Sequence, residues 1–287
     1  MRVGVVGVGA MGLAMAGHLA DKGHEVAVYD VDPARSEEAA RRGAAAASNI
    51  SELARLADLF VVVVATDDQS REVARALADH AAAGSLVAVA ASNHPRTMQE
   101  IGALCASRQI RFIDAPVVYG ATGAKEGTLV SLCGGSETDV DFARPALMAY
   151  SRAVLHVGPI GAGQLAKTCN NLLHWVHCVA NFETLLIAKR FGIDAQRMRE
   201  VLLECPGTNG TLRRWDTTKF TWQEKDMDVT MDLAQEAGLV LPLAGQVDQL
   251  VKRLTAEDVR ALLYGSEAVY LGVPVRPMSP EEGGFGD

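Results

Sequence analysis

Val3-Gly4-Val5-Val6-Gly7-Val8-Gly9-Ala10-Met11-Gly12 decides the fold of this chain. A short apolar run enters a turn with glycines at its first, third and sixth positions, and helix-forming residues follow. In such a strand, turn and helix the first glycine bends the chain and the second lets a pyrophosphate approach the backbone. The third lets the helix pack on the strand, and the helix N-terminus receives the phosphate charge. A second apolar run, Glu25 to Tyr29, ends in Asp30, where a carboxylate that accepts ribose hydroxyls belongs. The alternative is a glycine-rich turn followed by a surface aspartate. The order of strand, turn, helix and acid favours a dinucleotide site on Gly7, Gly9, Ala10, Met11, Gly12 and Asp30. A carboxylate at Asp30 repels a 2′-phosphate, so NAD is expected over NADP, although Arg35 is near enough in sequence to hold the extra phosphate.

Further apolar runs, Leu59 to Ala65 and Leu86 to Ala90, read as buried parallel strands, each followed by a helix. Pro95 suits a first helical turn, Arg111 to Asp114 and Thr128 to Cys133 extend the sheet, and Val154 to Val157 closes it. The expected fold is an α/β, Rossmann-type doubly wound domain over 1–157. From Gly163 to Arg190 apolar residues recur at helical spacing with no proline, so a long interdomain helix is expected over 158–190. Asp194 to Glu204, Asp226 to Glu236 and Pro242 to Leu254 read as helices of an all-α domain over 191–287, for substrate binding and oligomerisation. Its tail, Pro277 to Asp287, is expected to be mobile.

The chain has 287 residues, 49% hydrophobic and 22% charged, enough to bury a large core without disulfides or metal. A net charge of −8 leaves no broad basic field, which argues against nucleic acid and anionic membranes as partners. No apolar run reaches the length of a membrane span. No cationic leader precedes the first strand, and a cytoplasmic protein is expected. The five cysteines are odd in number and widely spaced, and read as reduced, buried thiols. Cys169, His174, His177 and Cys178 are close in sequence, but only His174 and Cys178 share a helical face, so no metal is expected.

Lys167 and Asn171 lie one helical turn apart after Gly161-Ala162-Gly163. A lysine works as an acid or base when its surroundings bring its pKa toward the working pH, and a carboxamide can hold a substrate oxygen with donor and acceptor together. His174 follows on the same face, as a second polar group of the pocket or as a buried structural histidine. Trp175, Trp215, Phe220 and Trp222 line a cleft or pack a core, and Asp226 is a ligand or a helix cap.

These pieces resemble the β-hydroxyacid dehydrogenase family, which includes 3-hydroxyisobutyrate dehydrogenase and tartronate semialdehyde reductase. The likeness covers nearly the whole chain. It rests on the glycine turn, Asp114-Ala115-Pro116-Val117, Gly127-Thr128-Leu129, Gly134-Gly135, Gly158 to Gly163 with Lys167 and Asn171, and Lys225-Asp226. The resemblance implies an NAD(P)-dependent oxidoreductase that passes a hydride between nicotinamide and the carbinol carbon of a small, carboxylate-bearing hydroxy acid or semialdehyde. It implies Lys167 as general acid/base, Asn171 as substrate positioner, and Lys225 and Ser92 near the cofactor. It also implies a homodimer or homotetramer. The family continues its Asp-Ala-Pro-Val motif with Ser-Gly-Gly, whose hydroxyl and amides hold the substrate carboxylate. Here Val118, Tyr119 and Gly120 stand in those places, so Tyr119 either supplies the lost donor or packs the loop. Two other readings are weighed: an imine reductase, which commonly lacks this lysine, and a non-catalytic NAD-binding module. Lys167 argues against the first, though the Val118-Tyr119 pair points to an unusual substrate, and retention of Lys167, Asn171 and Lys225 argues against the second.

Overall fold

The computed structural model describes residues 1–285 and divides into two compact units, 1–167 and 168–287. The first unit alternates strands and helices: β1 (Arg2–Val6), α1 (Ala10–Asp21), β2 (Glu25–Tyr29), α2 (Pro33–Ala40), β3 (Ala45–Ala46), α3 (Ile50–Leu56), β4 (Leu59–Val62), α4 (Asp67–His80), β5 (Leu86–Val89), α5 (Pro95–Ser107) and β6 (Arg111–Asp114). There follow β7 (Val117–Val118), α6 (Gly120–Glu126), β8 (Leu129–Gly134), α7 (Glu137–Tyr150), β9 (Ser151–Gly158) and the first turns of α8 (Ala162–Arg190). The sheet runs β3-β2-β1-β4-β5-β6-β8-β7, with β9 on β8. β1 is parallel to both neighbours, with Val5 opposite Val28 and Val61.

The central strands are apolar on every residue because both faces of the sheet are covered. Leu59 and Val61 enter one buried cluster, Phe60 and Val62 the other. This two-residue alternation explains why the runs carry no polar face. At β6 the direction changes: β8 is antiparallel to β6 and β7 and parallel to β9. The reversal brings Val118 beside Val130, and Val130 beside Ala153.

The second unit is helical: the remainder of α8, then α9 (Ala195–Leu203), α10 (Gly210–Arg213), α11 (Gln223–Glu236), α12 (Pro242–Val251) and α13 (Ala256–Tyr264) around a core containing Trp175, Phe182, Trp215 and Leu262. One addition departs from the expected all-helical pattern. β10 (Ala268–Tyr270) and β11 (Val273–Val275) form an antiparallel hairpin. The tail up to Phe285 makes contacts with the end of α8. The Met278 amide donates to the Arg190 carbonyl at 2.8 Å and the Phe285 amide to the Phe191 carbonyl at 2.7 Å. The Phe191 and Phe285 rings stack with centroids 5.8 Å apart. Gly286 and Asp287, included in the expected mobile tail, lie outside the described residues. The thiols divide: Cys105, Cys133 and Cys178 are buried as expected, Cys169 is exposed and Cys205 half-buried. Among the described residues no helix is long and apolar enough to cross a membrane.

Candidate active site

The glycine turn separates what the fold needs from what a ligand needs. Gly7 has φ +87°, and a Cβ there would collide with the Val63 carbonyl; a Cβ on Gly12 would collide with the carbonyl of Gly7. These two glycines are fixed by packing between β1, α1 and the end of β4. At Gly9, the cap residue of α1, the nearest atom to a Cβ would be Arg35 Nη1 at 3.5 Å, an ordinary contact. The protein's own packing does not require glycine there, whereas a pyrophosphate against the first-turn amides of α1 does. The cradle therefore fits a dinucleotide. Asp30, at the end of β2, is buried and accepts the Val8 amide on Oδ2 at 2.8 Å and the Asp32 amide on Oδ1 at 2.9 Å. Its own amide donates to Ser36 Oγ at 3.0 Å. A carboxylate has more lone pairs than these two bonds use, so Asp30 keeps capacity for ribose hydroxyls. Arg35 pairs with Asp32, its Nε 3.4 Å from Oδ2.

Three distant polar residues tie the loop after β5 to the start of α8. Asp67, at the start of α4, accepts Asn93 Nδ2 and the His94 amide, each at 3.0 Å, and Thr97 Oγ1 at 2.5 Å. Burial opposes ionisation of Asp67, but these bonds outweigh it and hold its carboxyl below the usual range. The Asn93 amide donates to Gln164 Oε1 at 3.0 Å, and Gln164 Nε2 to the Ala91 carbonyl at 2.7 Å. Ser92, the residue expected to touch the cofactor, is exposed beside this network. Asp114, at the end of β6 and fully buried, accepts the Gly161 amide at 2.7 Å and the Gln164 amide at 2.8 Å. Burial here exceeds the effect of the backbone bonds and raises the Asp114 carboxyl. The first turn of α8 is thus pinned to the end of β6 by Asp114 and to the loop after β5 by Gln164.

Three residues past Gln164, Lys167 Nζ donates to the Val117 carbonyl of β7 at 2.8 Å. The amine is held at the β7 end, next to the segment that departs from the family pattern. Val118 is buried. Tyr119 is left-handed at φ +84° and turns its side chain toward β9, where Arg152 Nη2 donates to its hydroxyl at 2.8 Å. Gly120 opens α6 with φ +57°.

In the second unit, Asn171 Oδ1 accepts Asn170 Nδ2 at 3.2 Å. His174 is engaged with Thr211 Oγ1, 2.9 Å from Nδ1, and with Cys178 Sγ, 3.9 Å from Nε2. Trp175 is buried and its Nε1 donates to Asp226 Oδ2 at 3.1 Å. Asp226 lies inside α11 rather than capping it, the cap position being Trp222. Lys225, in the first turn of α11, is exposed. Among the described residues no group of three or more His, Cys, Asp or Glu side chains is placed to hold a metal ion.

Asp67, Gln164 and Arg152 are not singled out by the sequence, whereas Asn93 belongs to the Ser92-Asn93-His94-Pro95 stretch that resembles the family's loop after the fifth strand. The signal for Gln164 is its position between Gly163 and Lys167; Asp67 and Arg152 carry none.

Residues 2–158 match the model of the NAD binding domain of 6-phosphogluconate dehydrogenase. Residues 161–262 match that of the NAD-binding domain of NADP-dependent 3-hydroxyisobutyrate dehydrogenase. An uncharacterized oxidoreductase of Shewanella frigidimarina is 30% identical over 281 residues, 89% of this chain and 92% of that protein. The NAD-dependent L-serine dehydrogenase of Pseudomonas aeruginosa is 31% identical, covering 74% of this chain and 72% of its own. The solved structure of Mycobacterium tuberculosis 3-hydroxyisobutyrate dehydrogenase with L-serine aligns at a TM-score of 0.82 and 26% identity, over 91% of this chain and 98% of that one. With the glycine cradle and the pinned lysine, these likenesses place the chain in the β-hydroxyacid dehydrogenase family of NAD-dependent oxidoreductases.

Proposed function

We propose that the chain oxidises the hydroxyl of a small, carboxylate-bearing hydroxy acid, or reduces the matching semialdehyde, with Lys167 as the general acid/base. The observation that carries this reading is the Lys167 amine, fixed on the Val117 carbonyl at 2.8 Å in the same unit as the glycine cradle. When bound, the nicotinamide exchanges the hydride. The residues of this chain do the rest: the α1 N-terminus and Gly9 receive the pyrophosphate, Asp30 takes the ribose hydroxyls, and Lys167 takes the hydroxyl proton in oxidation and returns it in reduction. Asn171 orients the substrate oxygen, and Lys225 and Ser92 are secondary cofactor contacts. His174 stays a structural residue in this reading, and Val118 presents an apolar surface where the family places a serine.

Oxidation requires neutral Lys167 and reduction its ammonium, so the pH optima of the two directions differ. NAD is the cofactor favoured by Asp30. L-serine, 3-hydroxyisobutyrate, semialdehydes and cyclic imines are assayed at the reduced-nicotinamide absorbance band with wild type and Lys167→Ala. Loss of roughly 10²- to 10⁴-fold in kcat with unchanged NADH affinity is the expected result. Full turnover in Lys167→Ala removes the assignment, and turnover confined to imines replaces the substrate class.

The same reading includes a cytoplasmic homodimer or homotetramer, supported by apolar residues exposed on the second unit, among them Ile187 at 63% and Val240 at 89%. Light scattering of the purified chain tests the assembly.

A further inference from the structure

We propose that Tyr119 and Arg152 form a positioning clamp that holds the Val117–Gly120 segment in place and, through the Val117 carbonyl, the amine of Lys167. The proposal rests on Lys167 being the acid/base.

Tyr119 adopts φ +84° and ψ 2°, a left-handed conformation that Cβ-bearing residues avoid and that persists where the surroundings impose it. Contacts from β9 and α6 favour it here. The first comes from Arg152 on β9: Nη2 donates to the tyrosine hydroxyl at 2.8 Å, and Cζ lies 4.8 Å from the ring centroid. Donor and stacked cation act on one ring, a geometry that arginine's planar guanidinium supplies and that fixes ring position as well as distance. Among the described residues no carboxylate pairs with Arg152. The second contact comes from α6: a Cβ on Gly123 would lie 2.7 Å from Tyr119 Cβ, so glycine at 123 makes room for the tyrosine, and the Gly123 amide donates to the Tyr119 carbonyl at 3.1 Å. Arginine and glycine together hold a residue that would otherwise leave this backbone conformation.

The held residue lies two positions after the carbonyl that receives Lys167 Nζ. Val117 and Val118 pair with Ser131 and Val130, and Val130 pairs with Ala153, next to Arg152. The clamp therefore reaches across β8 from the edge strand to the short strand that anchors the amine. A shift of about an ångström in a catalytic group is enough to slow a reaction by up to about a hundredfold. Arg152 and Tyr119 act through Lys167 and are positioning residues.

The test uses the full chain with NAD and two probes, L-serine and 3-hydroxyisobutyrate, together with amide hydrogen exchange of peptides covering 117–127. Arg152→Ala is expected to lower kcat about tenfold, with KM and NADH affinity within about twofold, and to speed exchange over 117–127 while β4 and β5 stay protected. Arg152→Lys keeps a cation and a donor and restores part of kcat. Tyr119→Phe keeps the stacked ring and loses less than Arg152→Ala.

Tyr119→Gly separates positioning from simple packing. Glycine accepts the left-handed backbone, so Tm holds or rises while kcat falls as in Arg152→Ala. A merely structural contact would lower Tm and kcat together, and that result overturns the proposal. Unchanged exchange over 117–127 in Arg152→Ala also overturns it, whether or not either probe is turned over. If instead Lys167→Ala remains fully active while exchange responds as expected, the acid/base reading falls and the clamp on the segment stands.

Discussion

Alanine at Gly9 and alanine at Gly12 are the same chemical change three residues apart, and the structure predicts opposite consequences. At Gly12 the new methyl enters the carbonyl of Gly7, which α1 can avoid only by lifting off β1. Overpacking of this kind costs about 1–3 kcal/mol. At about 2–4 °C per kcal/mol for a chain approaching this size, thermal unfolding shifts down by roughly 2–12 °C. At Gly9 the methyl meets Arg35 Nη1 at 3.5 Å and nothing nearer. The loss of glycine at a helix cap and the gain from a stiffer unfolded chain are each below about 1 kcal/mol and oppose one another, so Tm stays within a degree or two. The effect at Gly9 falls on the ligand instead. A methyl there lengthens the charge-assisted bonds from the α1 amides to the pyrophosphate, each worth about 1.5–3 kcal/mol. Loss of one corresponds to roughly 10- to 150-fold in NADH affinity. Fluorescence titration with NADH and a thermal melt of each variant suffice. Gly9→Ala binding NADH within twofold of wild type, or melting as low as Gly12→Ala, would refute the division between packing glycines and a ligand glycine.

Half-buried Asp67 and fully buried Asp114 predict opposite pH effects. The folded pKa of Asp67 is depressed below the ordinary 3.8, so its contribution to stability is complete above that value and is lost as pH falls through the lowered one; Asp67→Asn flattens this acid limb in melts between pH 2 and about 4. The folded pKa of Asp114 is raised, so its contribution is complete below 3.8 and is lost as pH rises through the raised value; Asp114→Asn removes that decline while costing about 1–3 kcal/mol from a backbone amide left without its acceptor. A melt series that slopes the same way for both variants contradicts the assignment. His174→Ala should lower stability by about 1–3 kcal/mol through the stranded Thr211 hydroxyl and leave NADH affinity unchanged, measured by melt and titration. An equal loss of cofactor affinity would place His174 in the site instead.

The parts of the fold that were legible are those where local chemistry and tertiary role coincide. Val3 to Gly12 reads correctly because the turn itself demands glycine at 7 and 12, and α8 reads correctly because its apolar spacing persists to Arg190. The β10–β11 hairpin was missed for a physical reason. Its strands are three residues long, Pro274 interrupts one, and the two-residue turn places Leu271 at φ +52° before Gly272 at φ +82°, where a polar or glycine pair is the usual signal. The reversal of β8 was hidden because strand direction leaves no mark on hydrophobic pattern. At the site, Lys167 stood out through its neighbours, whereas Asp67, Asn93 and Gln164 meet only after folding. Tyr119 was legible as a departure from the family pattern, but its partner Arg152 lies 33 positions away.

The pinning of the first turn of α8 has an evolutionary corollary. The compact unit that ends at Lys167 contains the glycine cradle, Asp30, the Asp114 and Gln164 braces and the amine itself. A recombination crossover between 167 and 168 would therefore pass the glycine cradle, Asp30 and the Lys167 amine from one parent together, and leave the other parent to contribute Asn171, the proposed cofactor contact Lys225 and the helical unit. Chimeras of this family cut at that junction, rather than at the loop before the long helix, should keep NADH binding and exchange the range of substrates they accept.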